Sequence, residues 1–108
     1  MKELTVGEHL EEKLKDPYFK ELYELEQQKY DIVNKIIDFR MKKNITQADL
    51  AKEAGVSQQH ISKIENGEFS NILTLEKVLL YIGMTVQIKA VELNPNVEKQ
   101  IQRTLVSA

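Results

Sequence analysis

The sequence predicts a mainly α chain with a single C-terminal β-strand, and three observations predict it. Apolar residues recur at three- and four-residue spacing from Pro17 to Lys43, again through 47–64, and again through 75–82. Three of the four glycines, Gly55, Gly67 and Gly83, stand where those runs stop. Only 85–93 changes period, with Val86, Ile88 and Ala90 alternating against Gln87 and Lys89.

Composition sets the frame. A chain of 108 residues holds one compact domain with a modest core, and 42% hydrophobic with 30% charged residues is a globular balance. No apolar run approaches the roughly 18 residues that read as a membrane span, and the charged start Met1-Lys2-Glu3 does not open a signal peptide. With no cysteine, disulfides and thiolate metal sites are excluded. The expectation is a cytoplasmic protein without cofactor, metal or membrane partner.

Taken in order, Thr5–Leu10 leads into a first helical segment with Leu10 and Leu14 at i, i+4. Asp16-Pro17 is a helix start, because Asp caps and Pro fits the first helical position. From there to Lys43 neither glycine nor further proline intervenes. Tyr18, Leu22, Leu25, Lys29, Val33, Ile36 and Arg40 form one row, as one long helix or as two joined near Gln28–Tyr30.

The next stretch carries the most information. Thr46 is an N-cap and Asp49 completes its capping box, so a helix begins at Gln47 with Leu50, Ala51 and Ala54 on one face. Gly55 takes the left-handed conformation, Val56 plugs the turn, and Ser57 caps a second helix with Ile61 and Ile64 inward. Gln58, Gln59, Ser62 and Lys63 must then lie outward or at the margin, before Asn66-Gly67 ends the helix.

Ser70-Asn71 reads as a loop, Thr74 as the cap of a helix with Leu75, Val78, Leu79 and Ile82 inward, and Gly83 as its end. A lone strand at 85–93 cannot satisfy its own ladder, so the expectation is a homodimer that pairs Val86, Ile88 and Ala90 across a two-fold axis. Val97, Ile101 and Leu105 suggest a last short helix. The organisation expected is a helical extension (1–30), a compact domain (31–83), and a dimerisation strand with tail (84–108).

Two exposed glutamines at the start of a helix are suited to DNA, since a glutamine amide pairs with the N6 and N7 edge of adenine. Gln58 and Gln59 are therefore the candidate base readers, with Ser57, His60, Ser62, Lys63 and Asn66 around them. Gln47 is expected at a phosphate, bracing Gln58. Arg40 and Lys43 either touch the DNA backbone or complement the helix dipole, and Lys63 is either a contact or a solvated lysine. Charge gives this little help: 31–69 has six basic and six acidic residues, and 1–30 has eight acidic against five basic. Phosphate affinity must then come from local placement of single cations rather than from a bulk field.

Tyr18, Phe19, Leu22, Tyr23 and Leu25 either pack against the domain or form a partner surface, and their acidic flanks suit a basic protein. His9 and His60 lack metal-ligand spacing, the scattered glutamates fit a solvated face, and no nucleophile has a base at a recognisable spacing. No enzyme is expected.

Gln47, Ala51, Gly55, Val56, Ile61 and Ile64, followed by Glu65-Asn66-Gly67, resemble the helix-turn-helix of lambdoid phage repressors and their bacterial relatives. The acidic extension before and the strand after resemble the arrangement of HigA-type antitoxins. That resemblance implies a lambda-repressor-like fold, double-stranded operator DNA as one partner, and as another a RelE/HigB-like mRNA-cleaving toxin, for which Tyr18, Phe19, Leu22, Tyr23 and Leu25 are the candidate surface. A free-standing repressor of the same family and an interaction module without DNA binding are the alternatives.

Overall fold

The structure is a computed structural model that describes residues 5–107; the charged start Met1-Lys2-Glu3 lies outside the described residues. Its helices are α1 (Val6–Lys13), α2 (Pro17–Lys43), α3 (Gln47–Ala54), α4 (Gln58–Glu65), α5 (Ile72–Tyr81) and α6 (Pro95–Ser107). Gln28–Lys89 forms one compact unit, and the other described residues form a second.

The boundaries follow from capping chemistry. Thr5 and Glu8 close a capping box on α1, and Thr46 and Asp49 close one on α3. Ser57 accepts the backbone N–H of His60 at the start of α4. The run from Pro17 to Lys43 is one helix of 27 residues rather than two.

Four consecutive helices end alike. At Asn44, Gly55, Gly67 and Gly83 the backbone turns left-handed, with φ between 53° and 86°. In each case the following residue returns its N–H to a carbonyl five positions back: Ile45 to Arg40, Val56 to Ala51, Glu68 to Lys63 and Met84 to Leu79. These are Schellman ends, which satisfy the last carbonyls and turn the chain within two residues. Asn44 does what glycine does elsewhere, because its short polar side chain tolerates that conformation.

The core of the Gln28–Lys89 unit is made by Ile36, Leu50, Ala51, Ile61, Ile64, Leu75, Val78 and Leu79, all buried. Ile32, Phe39, Ile45, Val56, Phe69, Ile82 and Val86 pack around them. Full burial of a leucine or isoleucine contributes about 1.5–3 kcal/mol, so these side chains carry most of the unit's stability. In the other unit Phe19 stacks on Tyr23 at 6.1 Å, and the Lys13 ammonium lies over the Phe19 ring at 5.6 Å.

Two expectations are corrected. The strand expected at 85–93 is absent: Met84–Asn94 has no regular secondary structure, and no strand occurs among the described residues. Alternation alone makes no strand, because a ladder needs a partner and no strand among the described residues lies beside this segment. Its first residues are held differently. Thr85 Oγ1 donates to Glu76 at 3.0 Å, the Val86 N–H donates to the same carboxylate at 3.4 Å, and Val86 packs on the unit's own core. Ile88 and Ala90, the other residues assigned to that strand, are exposed.

The second correction is the cap of α5. Asn71 rather than Thr74 performs it, accepting the Thr74 N–H at 3.1 Å. Both residues cap well and they stand three apart; starting at Asn71 adds almost a turn and leaves Thr74 buried inside the helix.

Candidate nucleic-acid interface

Helix α4 is fixed by its inner face. Ile61 is fully buried and Ile64 nearly so, which turns Gln58, Gln59 and Lys63 to the surface and leaves Ser62 half-buried at the margin. The α3–α4 pair is set by Ala51, whose small side chain lets the two helices approach closely, and by the left-handed Gly55 between them. An added Cβ at Gly55 would meet no neighbour, so glycine is required there for its φ of 75° and not for space.

One ion pair anchors the far end of α4. Arg40 Nε donates to Glu65 Oε2 at 2.9 Å, its second terminal nitrogen donates to Oε1 at 3.0 Å, and the first donates to the Ile45 carbonyl at 3.3 Å. The two side chains are 19% and 7% exposed. The hydrogen bonds with Glu65 hold the Arg40 guanidinium above its ordinary pKa, with burial opposing. Arg40 is thus committed inside the unit, where it joins the end of α2 to the end of α4.

Gln47 shares that carboxylate. Its Nε2 donates to Glu65 Oε1 at 3.3 Å, a different partner from the Gln58 expected for it. Gln47 and Gln58 do meet as walls of one open cleft of about 420 Å³, together with Met41, Asn44 and Thr46. This cleft lies where α3 begins, and a helix N-terminus that presents backbone N–H groups and a side-chain amide suits a phosphate oxygen.

On the opposite flank of α4, the Ser57 hydroxyl and His60 Nδ1 are 2.8 Å apart, so the two side chains orient each other. His60, Lys63, Ser70 and Asn71 line a small pocket there. Lys43 stands over the Phe39 ring at 5.7 Å, and Asn66 is exposed at the end of α4. The expected contact residues therefore separate into an exposed set (Gln58, Gln59, Lys63, Asn66), a flank pair (Ser57, His60), and residues already engaged elsewhere (Arg40, Lys43, Gln47).

The sequence reading gives Glu65 no side-chain role, although a signal for its pairing exists. Arg40 stands four residues after Ile36, and Glu65 four after Ile61. Each charge thus extends a buried row, and two opposite charges on buried rows are expected to find one another.

The surface residues expected for a protein partner lie in the other unit. Leu22 and Leu25 are exposed on α2, while Tyr18, Phe19 and Tyr23 are half-buried. Among the described residues no helix is long and apolar enough to cross a membrane.

A helix-turn-helix family model matches residues 36–87. An uncharacterized HTH-type transcriptional regulator from Methanocaldococcus jannaschii is 40% identical over 55 residues, which is 50% of this chain and 83% of that protein. No solved structure gives a significant match.

Proposed function

The chain belongs to the helix-turn-helix family, and on that premise we propose that it is a cytoplasmic transcriptional repressor that reads operator DNA through α4 and also serves as the antitoxin of a type II toxin–antitoxin pair. The observation that carries the DNA reading is the exposure of Gln58, Gln59 and Lys63 on a helix whose inner face and far end are both fixed. A side chain discriminates between bases only when its backbone is held still, and Ile61, Ile64 and Glu65 provide that.

The roles divide by chemistry. Gln58 and Gln59 read base edges in the major groove, Lys63 and Asn66 reach a margin base or phosphate, and the cleft at Gln47 receives a backbone phosphate. The even charge of residues 31–69 keeps binding by one copy weak, so two copies act on two half-sites about one DNA turn apart. A mobility shift against the upstream region of its own operon tests this. Gln58→Ala or Gln59→Ala should relax sequence preference, and loss of a phosphate contact by Lys63 should lower the salt slope by about one. No shift by the unaltered protein would favour the interaction-only alternative, for which the neutral charge is the supporting observation.

The antitoxin role is supported by the exposed Leu22 and Leu25 beside the Phe19–Tyr23 stack, in a segment rich in glutamate. A basic RelE/HigB-like toxin is the partner chemistry that fits such a surface. Co-expression with the neighbouring basic reading frame should rescue growth, and Leu22→Asp with Leu25→Asp should abolish rescue while leaving DNA binding intact. Rescue that survives both substitutions would move the toxin site elsewhere, and the free-standing repressor would follow if no such neighbour is toxic.

A further inference from the structure

Helix α5 carries an unusual outward face. Thr74, Leu75, Val78 and Leu79 turn to the core, and on the opposite side stand Leu73 and Leu80, 67% and 60% exposed, with Glu76 and Lys77 between them. Residues seven apart stand two turns from each other, almost on one line along a helix. Past the turn at Gly83, Met84 adds a further apolar side chain that is 41% exposed. Single exposed leucines are ordinary, but Leu73 and Leu80 are aligned on one face with one charge of each sign between them.

The order of these residues is self-complementary. Set a second α5 antiparallel to the first, with a two-fold axis midway between Glu76 and Lys77. Leu73 then meets Leu80 of the second copy, and Lys77 meets Glu76 of the second copy, each twice. Parallel pairing would instead oppose Glu76 to Glu76 and Lys77 to Lys77. The Glu76 carboxylate is already held by Thr85 and the Val86 N–H, so it stands as a fixed negative charge with acceptor capacity to spare.

We propose that this face of α5 is where a second copy of the chain docks, antiparallel and about a two-fold axis. The inference rests on the DNA reading above only for the need of two copies, and its test is made without DNA, so the two can fail separately. It relocates the dimer contact from 85–93 to the helix before it, consistent with Val86 being turned into its own core.

The chain has no cysteine, which makes cross-linking specific. Full-length Leu73→Cys and Leu80→Cys chains, mixed in equal amounts and gently oxidised, should form a mixed disulfide-linked pair. Each alone should form little, because like positions lie about 10 Å apart along the axis, beyond the roughly 7 Å that a disulfide spans between Cα atoms. In sedimentation equilibrium the unaltered chain should be a dimer. Leu80→Glu, at an exposed position, should keep its helical circular dichroism and weaken the dimer about 100-fold, since the change enters the interface twice at roughly tenfold each. A monomeric unaltered chain, a Leu80→Glu chain that remains dimeric, or efficient disulfides between like positions would each overturn the proposal.

Discussion

Replacing Arg40 with methionine tests what holds α4 in place. Methionine keeps an unbranched apolar stem but removes the guanidinium, and leaves Glu65, 7% exposed, with only the Gln47 amide at 3.3 Å as a side-chain donor. Breaking a buried ion pair from one side costs about 3–5 kcal/mol, because the remaining charge stays desolvated. Arg40 retains 19% exposure and Gln47 still donates, so the expected cost is the lower figure, about 3 kcal/mol. With a urea slope of roughly 1–2 kcal/mol/M for a unit of this size, the midpoint of unfolding should fall by about 1.5–3 M. The informative comparison is Arg40→Met with Glu65→Leu, which removes both charges and should return to within about 1 kcal/mol of the unaltered chain. A single substitution costing less than about 1 kcal/mol, or a double variant no more stable than the single, would refute the account of a desolvated carboxylate. Operator affinity supplies a second readout, since the double variant should stay folded yet bind more weakly if the pair fixes the aim of α4.

Other expectations are simpler. Ile36→Ala removes a fully buried side chain from the core and should cost about 3 kcal/mol in denaturant unfolding. Thr46→Ala deletes the N-cap of α3 and should cost about 1 kcal/mol; Gly55→Ala should cost a similar amount through its positive φ alone, as no atom stands in the way. The Asp49 carboxyl is held below its ordinary pKa, first by the Thr46 backbone N–H and then by the Thr46 hydroxyl. Its contribution to stability is therefore present above the unfolded-state pKa and is lost as pH falls through the lower folded value. Asp49→Asn should flatten that acid limb of the stability profile, and an unchanged limb would remove Asp49 from its cause.

Local chemistry made much of this molecule legible from its residues. The capping box of Thr46 and Asp49, the cap at Ser57 and the turn at Gly55 each depend on neighbours within four positions, and all are found where expected. The inward rows of α3, α4 and α5 were equally readable, since burial of Leu50, Ile61 and Val78 follows from helical period. The Arg40–Glu65 pair was harder, because 25 residues separate its members and only the fold brings them within 3 Å. Thr74 misled because a good cap stood one turn before it. The strand misled for a deeper reason: alternation at 85–93 describes what a segment can do beside a partner, and a single chain offers Val86 a core to enter and a carboxylate to bind.

The division of labour within α4 bears on how such a protein can change over generations. Its anchoring falls to Ile61, Ile64 and Glu65, while Gln58, Gln59 and Lys63 face outward. Substitutions at those three positions should leave folding almost untouched. On the proposed reading of α4, lineages can therefore drift to new operators without first acquiring compensating mutations, and duplicated copies can diverge into regulators that ignore one another's sites. The same partition gives an engineer three positions to randomise on a scaffold that need not be restabilised afterwards.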